Sequence, residues 1–281
     1  MSGTDRAAAG PRLRVQNLSI DFGGLKAVSG FSCELYQGEL VGLIGPNGAG
    51  KTTVFNMLSG IYAPSEGEME FYDLRGNIYH AEKLSPAKLN RIGIARTFQN
   101  IRLFSNLSVE DNIRIALHSG RAVNPLDVVL RLKRFRLDEE RMTSRAGELL
   151  SLFKIDKKKH ELARNLPYGE QRKLEIARAL ASGPSLLLLD EPAAGMNPQE
   201  TGELMKLISF VRNEFHLTIL LIEHDMRLVM GICERIMVLD YGRTIAAGRP
   251  EEIRKDPAVI KAYLGSGAAE IPGAGGQAGG L

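Results

Sequence analysis

The segment GPNGAGKTT at 45–53 carries the densest chemical signal in the chain. Gly45, Gly50, Lys51 and Thr52 occupy the fixed places of G-x-x-x-x-G-K-[ST], after an apolar run and before a helix-forming one. Glycines at this spacing let the backbone of Gly45, Pro46, Asn47, Gly48, Ala49 and Gly50 curl until its N–H groups converge. The helix that follows adds its positive end. The expected ligand is the phosphate tail of a nucleotide, with Lys51 reaching the β- and γ-phosphates, Thr52 offering its hydroxyl to Mg²⁺, and Thr53 completing the segment.

A second constellation, LLLLDEP, places Asp190 and Glu191 at the end of an apolar run. If that run is a strand of a parallel sheet, its C-terminal end faces the ligand crevice. Asp190 suits the Mg²⁺ shell, through a water, because a hard cation takes oxygen ligands. Glu191 is then placed to polarise the attacking water as general base.

These groups need a rigid frame. The runs 39–44, 185–189, 217–222 and 235–239 are apolar but for Glu39, Ser185, Thr218 and Arg235 and alternate with helical patterns, which predicts strands buried on both faces in an α/β domain with a mainly parallel sheet. From about 106 to 165, Arg, Lys, Glu and Leu dominate, and Leu126, Val129, Leu130, Leu149, Leu150 and Phe153 recur at helical spacing, predicting a helical insert. Residues 1–11 and 265–281 are small, polar and Gly/Ala-rich, and read as disordered tails. No apolar run approaches the roughly 18–20 residues of a membrane span, and the N-terminal stretch lacks a leader's apolar segment, which predicts a cytosolic chain. Basic and acidic residues nearly balance, 36 against 33, and form no tract, which argues against a nucleic-acid partner. Cys33 and Cys233 have no metal-like spacing and read as reduced core residues.

Between the two constellations stands LPYGEQRKLEIARAL at 166–180, with a helix expected from about Gln171. This segment resembles the signature of ABC ATPases, usually LSGGQ, and the order of motifs fits that family from about Leu13 to Gly248. The resemblance implies a P-loop NTPase core with a mainly parallel sheet, an antiparallel β-subdomain and an inserted helical subdomain at about 100–165. The whole domain would span 12–250, with a C-terminal helix at 251–264. It implies adenine stacking on Phe22 and γ-phosphate contacts from the signature residues Tyr168, Gly169 and Glu170. It also makes Gln99 a glutamine that touches the metal site and a membrane partner, His224 a switch histidine near the γ-phosphate, and GMNP at 195–198 a loop crossing to a second subunit. Singly, each has a plainer reading: Phe22 as core packing, Gln99 as a surface amide, His224 as a satisfied histidine at a strand end. Two of the departures from the pattern bear on the chemistry. Pro167 replaces the signature Ser and Asn197 the usual Asp of the crossing loop.

Within the family, RTFQNIRLF, DEPAAGMNP, LLIEHDMRLVMGICERIMVLDYG and the ending AYLG look like the LivG type of branched-chain amino acid importers. The resemblance implies ATP and Mg²⁺ as cofactors and a peripheral place on the cytoplasmic side of the cell's inner membrane. Its implied partners are permease subunits, a second ATPase that is either LivF-like or an identical copy, and, indirectly, an external substrate-binding protein. Importers of urea or short amides, lipopolysaccharide-export ATPases, soluble ABC ATPases and non-catalytic nucleotide-binding partners remain alternatives.

Overall fold

The computed structural model describes residues 10–118 and 133–265. Strands β1 (Pro11–Phe22) and β2 (Leu25–Tyr36) lead into β3 (Leu40–Ile44) and helix α1 (Lys51–Leu58), followed by β4 (Glu66–Tyr72), β5 (Ile78–His80), α2 (Pro86–Ile92) and β6 (Ile94–Arg96). Helices α3 (Val109–His118), α4 (Lys133–Leu152) and α5 (Tyr168–Ala181) come next. The remainder alternates as β7 (Leu186–Asp190), α6 (Pro198–Glu214), β8 (Thr218–Ile222), α7 (Met226–Ile232), β9 (Arg235–Asp240), β10 (Arg243–Gly248), α8 (Pro250–Ile253) and α9 (Pro257–Gly265).

The strands form two sheets. One is six-stranded in the order β10-β9-β3-β8-β7-β6, parallel except for the antiparallel edge strand β10. The other is antiparallel and four-stranded, in the order β2-β1-β4-β5. The apolar runs are continuous because both faces of the parallel sheet are covered. Leu186, Leu188, Leu220 and Ile222 pack with α1 and the antiparallel sheet. Their neighbours Leu187, Leu189, Ile219 and Leu221 pack under the helices on the opposite face. Each such fully buried leucine contributes about 1.5–3 kcal/mol. Hydrogen bonds from Thr218 N to Ser185 O and from Ile219 N to Glu39 O, at 3.0 and 2.8 Å, continue the pairing to the strand ends.

Between β6 and β7, helices α3, α4 and α5 pack through Val109, Ile113, Leu149, Leu150, Phe153 and Leu174, all in the core of the helical face. The expected apolar stripe at Leu126, Val129 and Leu130 lies outside the described residues. Four boundaries differ from the sequence reading. Helix α5 begins at Tyr168 rather than near Gln171, because Pro167 takes the N-cap position with φ −54° and ψ 152° and its carbonyl accepts from Glu170 and Gln171 N–H. In place of one helix over 251–264 there are two, α8 and α9. Pro257 has no N–H to continue α8 and disfavours helical backbone at Asp256. Pro11 and Gly265, assigned to the tails, are the first residue of β1 and the last of α9. The rest of both tails, 1–9 and 266–281, lies outside the described residues. Cys33 and Cys233 are buried free thiols in the two separate core clusters, and burial pushes the Cys33 thiol up to about 12.

Candidate active site

The loop between β3 and α1 is pressed against its surroundings from behind. A Cβ on Gly45 would lie 2.0 Å from the Leu239 carbonyl oxygen, and one on Gly50 would lie 2.9 Å from that of Ala27, so both positions admit only glycine. Hydrogen bonds from Ala49 N to Pro46 O and from Gly242 N to Ala49 O fix the curl. Asn47, Gly48 and Thr52 are exposed at its rim, and Thr53 is half-buried. Lys51 is buried and folds back into the loop, donating to the carbonyl oxygens of Gly45 and Pro46 at 2.7 and 2.8 Å. Burial lowers its pKa, an effect opposed by the Glu191 carboxylate. From the far end of the chain, the Tyr263 hydroxyl of α9 is hydrogen-bonded to the backbone of Gly45, and burial raises its pKa to about 12.

Gln99, Glu191 and His224, 92 and 33 residues apart along the chain, meet at one carboxylate. Gln99 Nε2 donates to Glu191 Oε2 at 2.7 Å. His224 Nε2 lies 2.7 Å from Glu191 Oε1, and the tautomer with the proton on Nε2 makes that contact a hydrogen bond to the carboxylate. Glu191 holds φ 45°, a left-handed conformation rare for a residue with a Cβ. Its N–H donates to Ile222 O at 2.9 Å, which anchors the turn to the end of β8.

Asp190 is buried and its Oδ2 accepts from Arg96 Nη2 at 2.7 Å. Arg96 also donates to Asn56 Oδ1 and Ser59 Oγ of the α1 segment, and its guanidinium lies over the rings of Phe55 and Phe98. This arginine ties the loop helix, the strand before Gln99 and the acidic strand together. Sequence reasoning passed over it, since an Arg within RTFQ carries no mark of burial.

Phe22 ends β1, exposed, in an edge-to-face pair with Tyr62 at 5.2 Å. Tyr168, Gly169 and Glu170 open α5. Among the described residues, no hydrogen bond or ion pair links these three to 45–53. The Tyr168 hydroxyl donates to Ala194 O at 2.9 Å, and both Glu170 oxygens accept from Lys158 Nζ at 2.9 and 2.7 Å.

Three further charged groups escaped the sequence reading. Arg172 and Glu175, with side chains 0% and 1% exposed, pair at 2.7 Å on α5. Arg172 donates to Phe98 O and Gln99 O, while Glu175 Oε1 accepts from Phe98 N and Arg102 N, so the pair clasps the backbone on both sides of Gln99. Glu223, one residue before His224, accepts from Ala193, His224 and Asp225 N–H. Desolvation raises its pKa against the pull of those three donors. A Glu ending the apolar run TILLI was the available signal.

A family model described as ABC transporter matches residues 28–194, and one described as branched-chain amino acid ATP-binding cassette transporter matches 243–269. The high-affinity branched-chain amino acid transport ATP-binding protein LivG of Escherichia coli K12 is 47% identical, covering 91% of this chain and 98% of its own. BraF of Pseudomonas aeruginosa, with the same description, is 43% identical over 91% of this chain and 98% of its own. The lipopolysaccharide export protein LptB of Escherichia coli K12 is 35% identical over 90% of this chain and 97% of its own. Among solved structures, the ADP conformation of an ATP-binding cassette of an ABC transporter superposes with TM-score 0.77 at 29% identity, covering 91% of this chain and 99% of that one.

Proposed function

Since this chain belongs to the ABC transporter ATP-binding family, in which ATP hydrolysis is coupled to transport, we propose that it powers the import of branched-chain amino acids. The 47% identity to LivG against 35% to LptB, together with the match at 243–269, supports import of this cargo over lipopolysaccharide export. The observation that carries the catalytic assignment is the shared carboxylate of Glu191, held by Gln99 and His224 at 2.7 Å each.

Phosphoryl transfer asks mainly for positioning and electrostatic stabilisation. Lys51 exchanges the Gly45 and Pro46 carbonyls for β- and γ-phosphate oxygens, forming charge-assisted bonds. The amides of 45–52 and the N-terminus of α1 hold the remaining phosphate charge. Glu191 accepts the proton of the attacking water at a lone pair its two partners leave free, and His224 moves from Glu191 to the γ-phosphate. Phe22 offers its exposed ring to adenine. The Thr52 hydroxyl, the Asp190 carboxylate and the Gln99 amide oxygen would supply oxygen donors of the kind Mg²⁺ takes, Asp190 through a water. Bound there, Mg²⁺ would neutralise charge on the β- and γ-phosphate oxygens.

The separation of Tyr168–Gly169–Glu170 from 45–53 in one chain supports a composite site, in which this signature segment completes the site of a second cassette, a LivF-like sister or another copy. Gln99 and the helices α3 and α4 would meet permease subunits at the cytoplasmic face of the inner membrane, where the chain sits peripherally. No helix among the described residues is long and apolar enough to cross a membrane. An external binding protein acts through the permease.

The test is the assembled transporter in vesicles with labelled leucine and isoleucine. Glu191→Gln is expected to bind ATP, to slow single-turnover cleavage to a small residual rate and to abolish uptake. Normal cleavage in that variant removes Glu191 as base, and ATP turnover stimulated by a urea- or amide-loaded binding protein instead replaces the cargo.

A further inference from the structure

The signature position that is usually Gly is Tyr168 here, and its side chain turns back into its own chain. The hydroxyl donates to Ala194 O at 2.9 Å and accepts from Arg172 Nη2 at 3.3 Å. The ring packs over Gly195, where an added Cβ would lie 3.8 Å from Tyr168 Cε1. Ala194 closes the turn that Glu191 begins, with Ala194 N donating to Glu191 O at 3.2 Å. Glu191 needs such closure, since its φ of 45° is unfavourable and persists only where neighbours over-determine it. Arg172 in turn binds Gln99 O at 2.9 Å, so one hydroxyl joins the turn of the base to the loop that carries a group bonded to its carboxylate.

We propose that Tyr168 is a positioning residue for Glu191, its hydroxyl fixing the Glu191-to-Ala194 turn so that the carboxylate faces the reacting water. The inference rests on Glu191 being the general base and needs nothing from a second chain. Tyr168→Phe removes the hydroxyl and keeps the ring over Gly195. Measured on the assembled transporter, kcat is expected to fall about 3- to 10-fold, the yield of one neutral hydrogen bond expressed in rate, with KM for ATP unchanged within about twofold. In a Glu191→Gln background, followed by single-turnover cleavage, the same change is expected to cost nothing further, because residues acting as one unit are not additive. A rise in KM at constant kcat overturns the proposal in favour of direct nucleotide contact. A penalty of equal size in the Glu191→Gln background, or a large fall in unfolding midpoint, overturns it in favour of a purely structural role, and an unchanged kcat removes it. Failure of the unmodified transporter to cleave ATP would take the proposed function with it, an outcome distinct from the others.

Discussion

The Arg172–Glu175 pair offers a test that separates holding the fold from holding the site. Both side chains are essentially without solvent, 0% and 1% exposed, and Arg172 Nε has no hydrogen-bond partner. Removing one partner strands the other charge in the interior, at a cost of about 3–5 kcal/mol. For a domain of this size, each kcal/mol moves the unfolding midpoint by about 2–4 °C, so Glu175→Ala should lower it by about 6–20 °C. The double variant Arg172→Met, Glu175→Leu leaves no stranded charge and fills similar volume. Its backbone orphans, Phe98 N and O, Gln99 O and Arg102 N, lie on a stretch where Phe98 is half-buried and Gln99 exposed, so water can replace the lost bonds. Most of the stability should return, to within about 2 kcal/mol of the parent. The loop carrying Gln99 is then untethered, and kcat should stay down by about 10- to 100-fold. Calorimetry of the purified chain and ATPase assays of the transporter read the two quantities separately. A double variant as unstable as Glu175→Ala, or one with parental kcat, would refute the argument that the pair serves the loop rather than the fold.

Three other outcomes are expected. Lys51→Ala removes a charge whose pKa burial already depresses, so the nucleotide-free unfolding midpoint should hold or rise, while the ATP-induced shift of about 5–10 °C expected at a hundredfold excess over Kd should vanish; a retained shift in thermal fluorescence would contradict the cradle. Glu223 has a raised pKa, so the folded chain binds its proton more tightly than the unfolded one. Its stabilisation is therefore complete below the unfolded value near pH 4 and lost as pH rises through the folded value. Glu223→Gln should flatten the midpoint-against-pH curve on its acid side, and an unaltered curve would count against this. Asn197 caps α6 by accepting from Gln199 and Glu200 N–H, with Glu200 closing the box. Asn197→Ala should cost about 1 kcal/mol and Asn197→Asp nearly nothing, and equal losses would show the cap is not what Asn197 supplies.

The parallel strands were legible because burial on both faces leaves no polar alternation, so LVGLI, LLLLD and TILLI declare themselves within a residue of their bounds. The antiparallel sheet was not legible from the residues themselves. Register shifts in the β1–β2 pairing between Val15 and Leu18 and again near Ile20 break the period of two, and only the family resemblance implied it. The start of α5 was missed because LPYGE reads as a turn, when Pro167 is the cap and Tyr168 is already helical. Asn197 illustrates the reverse: as a departure from Asp it raised a question about chemistry, but the capping geometry accepts either side chain, since both offer an oxygen to the first turn. Arg96, Arg172 and Glu175 were invisible because their burial is set by elements many residues away. A charged residue on a helix reads as solvated until the loop that covers it is known.

The lysine that lies across its own loop makes nucleotide capture a trade of partners rather than the filling of a void. Phosphate oxygens that reach the ammonium must outcompete two main-chain oxygens already seated on it. Adenosine, with nothing anionic to offer, leaves that exchange unmade and gains nothing from the lysine, whereas a triphosphate brings several oxygens to it.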